Sequence, residues 1–331
     1  MKDNELKECV VNLCNEMGVK STISLFEGIV SQSTIYKWHN QKKKIKSLEY
    51  KYTVSECLRE FEILKSYYGN NSSYDSTPHY NKIVLTHQPH FYSKENELYK
   101  DDLIREKLIQ NRTKYLFKST FNDKELLRGF KISGIHTGYS HFSPVWLMKF
   151  IENYNIKSIY DPCGGWGHRL LGALVSNIDY IYNDIWEESV DGVRNILTFL
   201  RPYTNCVTRV KLYNTDCTKF TPSGSYQCVF TCPPYFNVEQ YSQPPFNNID
   251  QYKKFIENMI GCSTNSSTSN MLSVNIMGIV ISGKYSEIII NAANKYGFKL
   301  NDTHTLKSTQ CVSHFNKTTS KKSEVLLVFQ R

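Results

Sequence analysis

The chain has 331 residues, 40% hydrophobic and 21% charged, which is ordinary for a folded protein with one large domain and a smaller one. Lysine and arginine exceed aspartate and glutamate by 40 − 31 = 9, a balance that favours a polyanionic partner, though only weakly by itself. No apolar run is long enough to span a bilayer, the opening "MKDNELKECVVNLC" carries acids where a signal peptide needs a basic start, and none of the ten cysteines stands in Cys-x-x-Cys spacing. The expectation is a reduced, intracellular protein with no membrane association and no metal.

Residues 1–68 read as helical, with apolar positions recurring in "LKECVVNLCNEMGV" and "VSECLREFEILKSYY". Between them, "LFEGIVSQSTIYKWHNQ" resembles a helix-turn-helix. It has a short helix, a turn near Gly28 and a second helix opening at Ser31 or Ser33, serine being a good N-cap. The second helix of such a motif enters the major groove with its first residues at the base edges. That assigns Gln32, Ser33, Thr34 and Tyr36 to DNA, and Lys37, Lys42, Lys43 and Lys44 to phosphates. A small helical bundle with a solvated basic face reads equally from these residues.

Residues 69–80 are polar and turn-rich, a linker. Residues 81–139 form a connecting region that is helical in "NELYKDDLIREKLIQNRTKYLF" and "DKELLRGFKIS" and otherwise irregular. From 140 to 331 the pattern becomes regular. The segments "IKSIY", "YIYND", "VTRVKLYN", "YQCVFT" and "MLSVNIMG" alternate with helical segments, and "FKLNDTHTL" and "EVLLVFQ" follow as consecutive strands. Alternation implies a parallel sheet covered on both faces, and two strands in a row imply an antiparallel hairpin at one edge. The expected fold is α/β. It is a Rossmann-like mixed seven-stranded sheet with helices on both faces and a C-terminal antiparallel hairpin, preceded by an N-terminal helical domain.

The chemistry concentrates at strand ends. The first strand runs into "DPCGGWGHRL", a tight glycine turn and a helix start, which make a nucleotide-cofactor corner. Gly165 and Gly167 let the backbone approach a ligand. Leu170 stands where a dinucleotide fingerprint needs its third glycine, and Asp161 repels a pyrophosphate but suits the cationic amino acid end of S-adenosylmethionine. Asp184 ends the second strand, where a carboxylate accepts both ribose hydroxyls, and Asp216 follows the third, within reach of an adenine amine. The fourth strand then delivers "TCPPYF" to the same crevice.

On these residues, 140–331 resembles the amino-directed DNA methyltransferases, which methylate adenine N6 or cytosine N4. "DPCGGWG" is similar to the family's Asp-x-Phe-x-Gly-x-Gly, with Cys163 in place of Phe, and "CPPY" to its Asp/Asn/Ser-Pro-Pro-aromatic motif, with Cys232 in the first place. "HTGYSHFSPVWL" resembles the element that cradles the methionine part, which adds His141 to the cofactor residues, although a histidine beside aromatics also reads as packing. The resemblance implies S-adenosylmethionine as cofactor, Cys232, Pro233, Pro234 and Tyr235 as the catalytic corner, and extrusion of the target base. The Pro233 carbonyl accepts one amine hydrogen, the residue at 232 normally accepts the other, and Tyr235 offers a flat face to the base. Thiol sulfur is a weak acceptor. Cys232 therefore reads as a larger serine favouring cytosine, as a tolerant position where the backbone does the work, or as a buried structural cysteine. A covalent mechanism at cytosine C5 fits poorly, because there the nucleophile follows a proline. The rivals to a DNA enzyme are an RNA base methyltransferase and a catalytically silent DNA-binding regulator.

Overall fold

The computed structural model describes residues 6–7, 9–10, 13–14, 17–35, 47–49, 51–69, 81–117, 120–136, 142–236, 246–264, 274–306 and 324–331. Near the N-terminus, helical residues up to Met17 turn at Gly18 into helix α1 (Val19–Leu25). A second turn at Gly28, with φ of +79°, leads to helical residues 32–35. Ser31 caps that start, its hydroxyl accepting the Thr34 amide at 3.2 Å. Val10, Cys14 and Ile35 bury together here, with Ile23, Phe26 and Val30 packed around them, apart from the main core.

Helices α2 (Val54–Ser66), α3 (Lys82–His87), α4 (Ser93–Tyr99), α5 (Asp102–Leu116) and α6 (Asp123–Ile132) follow. Thr53–Glu56 and Asn122–Glu125 form capping boxes at α2 and α6. The long helical stretch read after residue 95 is two helices. Asp101 accepts the amides of Leu103 and Ile104 and so restarts the chain at a new N-cap. Of the expected linker, only Gly69 lies among the described residues. Apolar side chains on both sides of it, Phe61 and Leu64 before and Ile83 and Val84 after, share one core with the sheet that follows.

Helix α7 (Pro144–Tyr154) opens the regular part, with Pro144 through Ile151 buried. The strands are β1 (Ser158–Asp161), β2 (Asp179–Asn183), β3 (Val210–Tyr213), β4 (Cys228–Thr231), β5 (Ile276–Ser282), β6 (Lys299–Leu306) and β7 (Glu324–Gln330). They form one seven-stranded sheet in the order β3-β2-β1-β4-β5-β7-β6. The first five strands are parallel, and β7 runs antiparallel to both β5 and β6. This is the expected Rossmann-like mixed sheet. The hairpin is wound so that β7 lies inside and β6 takes the edge.

Helices α8 (His168–Val175), α9 (Glu187–Leu200), α10 (Ile249–Thr264) and α11 (Ser286–Lys295) cover the faces. Alternate side chains divide the core. Ile159, Tyr180 and Phe230 face one layer, Tyr160, Ile181 and Val229 the other. Two strand limits differ from the reading. Residues 205–209 form a 3-10 turn, so β3 begins at Val210. β5 begins at Ile276 and runs through Gly278, where a Cβ would stand 2.7 Å from Phe230 and 2.9 Å from Phe150. The glycine is what lets α7 seat this close to the strand.

Candidate active site

The parallel strands put the ends of β1, β2, β3 and β4 along one edge of the sheet, where open α/β folds hold their ligands. Asp161, Asp184, Asp216 and Cys232 all lie at that edge, each in or just after its strand. The carboxyl ends of β1 and β4 are tied directly. The Thr231 hydroxyl donates to Asp161 Oδ1 at 2.8 Å and accepts the Cys163 amide at 3.2 Å.

Asp161 is fully buried and its carboxylate is spoken for. Oδ2 accepts Arg169 Nε and the Tyr180 hydroxyl, each at 2.6 Å. Arg169 is 5% exposed, stacks over Phe142 at 5.0 Å, and donates through Nη2 to the Cys163 carbonyl. Burial alone would lower the guanidinium's affinity for its proton, but Asp161 reverses the shift and holds it charged. The cation that Asp161 meets is therefore Arg169, an intramolecular partner eight positions along the chain.

The glycine turn has its own logic. Gly165 and Gly167 take φ of +63° and +96°, in the left-handed region open to glycine. Gly164 is required for a different reason, since a Cβ there would stand 2.1 Å from the Tyr182 ring. Trp166 packs edge-on against Phe91 at 5.0 Å and Trp186 at 5.1 Å. Gln88 reaches in to donate to the Trp166 and Ser189 carbonyls, both at 3.0 Å. The N-terminal helices thus brace this turn.

Asp184 is half-buried, and its two oxygens accept the Gly165 amide at 2.8 Å and the Trp186 amide at 2.9 Å. Burial raises its carboxyl above the usual range, against the pull of those two amides. Ile185 beside it is 74% exposed. Asp216 is half-buried, accepts the Thr218 amide and hydroxyl, and pairs with Lys219 at 2.9 Å. Partial burial would raise it, but the Thr218 hydroxyl and Lys219 hold it below its ordinary value. Between them sits Asn183, buried at the end of β2, whose side chain bonds Pro162 O, Thr215 O and the Thr215 amide and so ties the loops after β1 and β3 to that strand. The Cys163 sulfur faces Cys217 and Met259, each at 3.8 Å.

In the Cys-Pro-Pro-Tyr corner, Cys232 and Pro234 are half-buried and Pro233 is buried. Tyr235 is only 8% exposed. Its hydroxyl donates to Glu324 Oε1 at 2.9 Å, and Cys232 Sγ lies 3.7 Å from the same hydroxyl. As described, Tyr235 is a packed side chain within a layer that includes Phe246 and Tyr252. The flat ring face expected for a base is covered.

Arg169, Thr231, Asn183 and Glu324 escaped the sequence reading. Glu324 opens β7, and an antiparallel strand brings its first residue to the edge where parallel strands end. That was the one available signal. Among the DNA-directed residues, Gln32 and Ser33 are exposed, and Thr34 is half-buried with its hydroxyl 2.7 Å from Ser31. Tyr36, Lys37, Lys42, Lys43, Lys44 and His141 lie outside the described residues. Among the described residues, no group of three or more His, Cys, Asp and Glu is arranged to hold a metal, and no helix is long and apolar enough to cross a membrane.

No protein-family model matches the chain, and no curated protein matches it. Solved structures that are similar include magnesium protoporphyrin IX methyltransferase from Synechocystis with bound SAM. It has 10% identity, with 82% of this chain and 97% of that one covered, at a TM-score of 0.39. A human methyltransferase 10 domain containing protein has 11% identity over 56% of this chain and 80% of that one, at 0.38. An S-adenosylmethionine-dependent methyltransferase from Clostridium acetobutylicum has 9% identity over 56% and 89%, at 0.38. Likeness at this level says nothing of what this chain binds.

Proposed function

We propose that the chain is an S-adenosylmethionine-dependent methyltransferase that acts on the exocyclic amine of a base in DNA, cytosine N4 ahead of adenine N6. The observation that supports it is the join between the two motifs. Thr231, the last residue of β4, bonds Asp161 and the Cys163 amide, which holds the glycine turn beside the Cys-Pro-Pro-Tyr corner at the carboxyl edge of the sheet.

The residues at that edge fit the cofactor in part. Asp184 is half-buried with both oxygens already oriented by amides, which suits a ribose diol. Asp216 suits an adenine amine, and exposed Ile185 offers an apolar cover for the ring. Gly165 carries no side chain and a Cβ there would meet only the Arg169 guanidinium, at 3.9 Å, which leaves room beside the turn for the methionine chain. Asp161 does not fit the role first given to it, because Arg169 occupies it. Its part is to keep the turn and the guanidinium in place.

When bound, S-adenosylmethionine would supply an electrophilic methyl group on a sulfonium, with a neutral thioether as its leaving group and the displaced amine proton passing to water. The chain's task is alignment. The Pro233 carbonyl, fixed by two consecutive proline rings, accepts one amine hydrogen, and Cys232 faces the other. A base reaches this corner only out of its duplex. The helix, glycine turn and helix start at 19–35, with Gln32 and Ser33 exposed, favour DNA over RNA as the polymer, since A-form RNA closes its major groove to a helix.

Mass spectrometry of nucleosides from unmethylated DNA, and in parallel from RNA, each treated with the chain and labelled cofactor, tests this. N4-methylcytosine or N6-methyladenine is expected. Label recovered only in RNA would move the substrate, and no label in either would leave a binding protein.

A further inference from the structure

The corner has an acid that the reaction as described does not use. Glu324 reaches it from β7, where pairing with Ser282, the last residue of β5, sets it at the crevice edge. Its Oε1 accepts the Tyr235 hydroxyl at 2.9 Å, and that hydroxyl oxygen stands 3.7 Å from Cys232 Sγ as acceptor of the thiol proton. Tyr235 is buried and Glu324 half-buried, so the contacts are shielded from water. Among the described residues Glu324 enters no ion pair. The thiol therefore heads a chain of two hydrogen bonds that ends on a carboxylate.

We propose that Glu324 is a positioning residue of the Cys-Pro-Pro-Tyr corner, which acts through Tyr235 to hold the Cys232 thiol as a proton donor and so strengthens its sulfur as an acceptor. This rests on the function proposed above and deepens it. A thiol is a weak acceptor by itself. Hydrogen bonds in series polarise one another, more so where water is excluded. A thiol whose proton is committed to a chain ending in a carboxylate carries more electron density on sulfur, leaving its lone pairs for an amine hydrogen. The family pattern places a stronger polar acceptor at 232; here the negative charge comes from another strand. Burial raises the Glu324 carboxyl, while the Tyr235 hydroxyl opposes that rise by bonding the charged form.

The test uses the full chain without cofactor or DNA. Iodoacetamide is applied at pH 8, and alkylation of each cysteine is followed by peptide mass spectrometry. Exposed Cys9 serves as the reference and buried Cys57 as the monitor of folding. Glu324→Gln keeps an acceptor oxygen for Tyr235 but removes the charge. It is expected to speed alkylation of Cys232 about fivefold relative to Cys9, with Cys57 still protected. Tyr235→Phe, which cuts the chain at its middle, is expected to do the same. An unchanged Cys232 rate in both variants overturns the proposal, as does a rise that Cys57 shares, which reports only a loosened fold. On DNA, Glu324→Gln is expected to lower kcat about tenfold with the Kd for S-adenosylmethionine unchanged, and a wild-type kcat counts against the proposal. If the unaltered chain methylates no DNA, the proposed function fails, and the alkylation rates alone judge Glu324.

Discussion

Asp161 ends its strand sealed from solvent, and what it holds there decides what its removal does. Asp161→Ala leaves the Arg169 guanidinium buried without its anion, and breaking such a pair costs about 3–5 kcal/mol. A clear fall in melting temperature is expected together with loss of S-adenosylmethionine binding by calorimetry. A variant that melts like the wild type but fails to bind would restore the direct cofactor role. Glu60 makes a second residue-scale case. It is buried, it accepts the Lys82 amide at 2.7 Å, and burial pushes its carboxyl up to about 7. An acid whose folded pKa is raised binds more protons folded than unfolded. Its contribution is therefore most favourable below its ordinary pKa near 4.5 and declines as pH rises towards 7. Glu60→Gln should match the wild type near pH 4.5 and exceed it by about 3 kcal/mol at pH 8 in urea unfolding. Equal differences at both pH values would show that the proton is not involved.

At the scale of elements, the glycine turn is shaped as much by what packs beneath it as by what binds above it. Gly165 and Gly167 were legible because Gly-x-Gly after a strand marks a ligand turn. Gly164 was not, because its constraint is the Tyr182 ring, which arrives from β2. Gly164→Ala forces a Cβ into that ring and is expected to cost about 2 kcal/mol or more, as overpacking does. Gly165→Ala meets no atom nearer than 3.9 Å and should cost about 1 kcal/mol for its left-handed backbone. Thermal unfolding of the two variants should rank them in that order. The Cys-Pro-Pro-Tyr corner shows the same division. Its place after β4 follows from the apolar run and the prolines. That Tyr235 is packed, with its hydroxyl committed to Glu324, depends on a strand residue 89 positions away.

For the whole molecule, the division of the core is informative. Leu48 and α2 bury into the same core as the sheet, whereas Val10, Cys14 and Ile35 form a cluster of their own. A chain beginning at residue 47 is therefore expected to keep the melting transition and S-adenosylmethionine affinity, and to lose DNA affinity and its salt dependence. A chain beginning at residue 81 loses Phe61, Leu64 and the Glu60 bond to Lys82, and should be substantially destabilised. Unchanged DNA affinity in the first chain would remove residues 1–46 from the interface. Periodicity and turn chemistry in the sequence by themselves determined the seven strands, their alternation with helices and the acids at their ends, since those signals are local in the chain. Only the tertiary structure decided which polar groups are spent inside the molecule: Asp161 on Arg169, Tyr235 on Glu324, Asn183 on the loops after β1 and β3. Each of those is a contact between side chains from different elements, and its geometry exists only once the sheet order has brought them together.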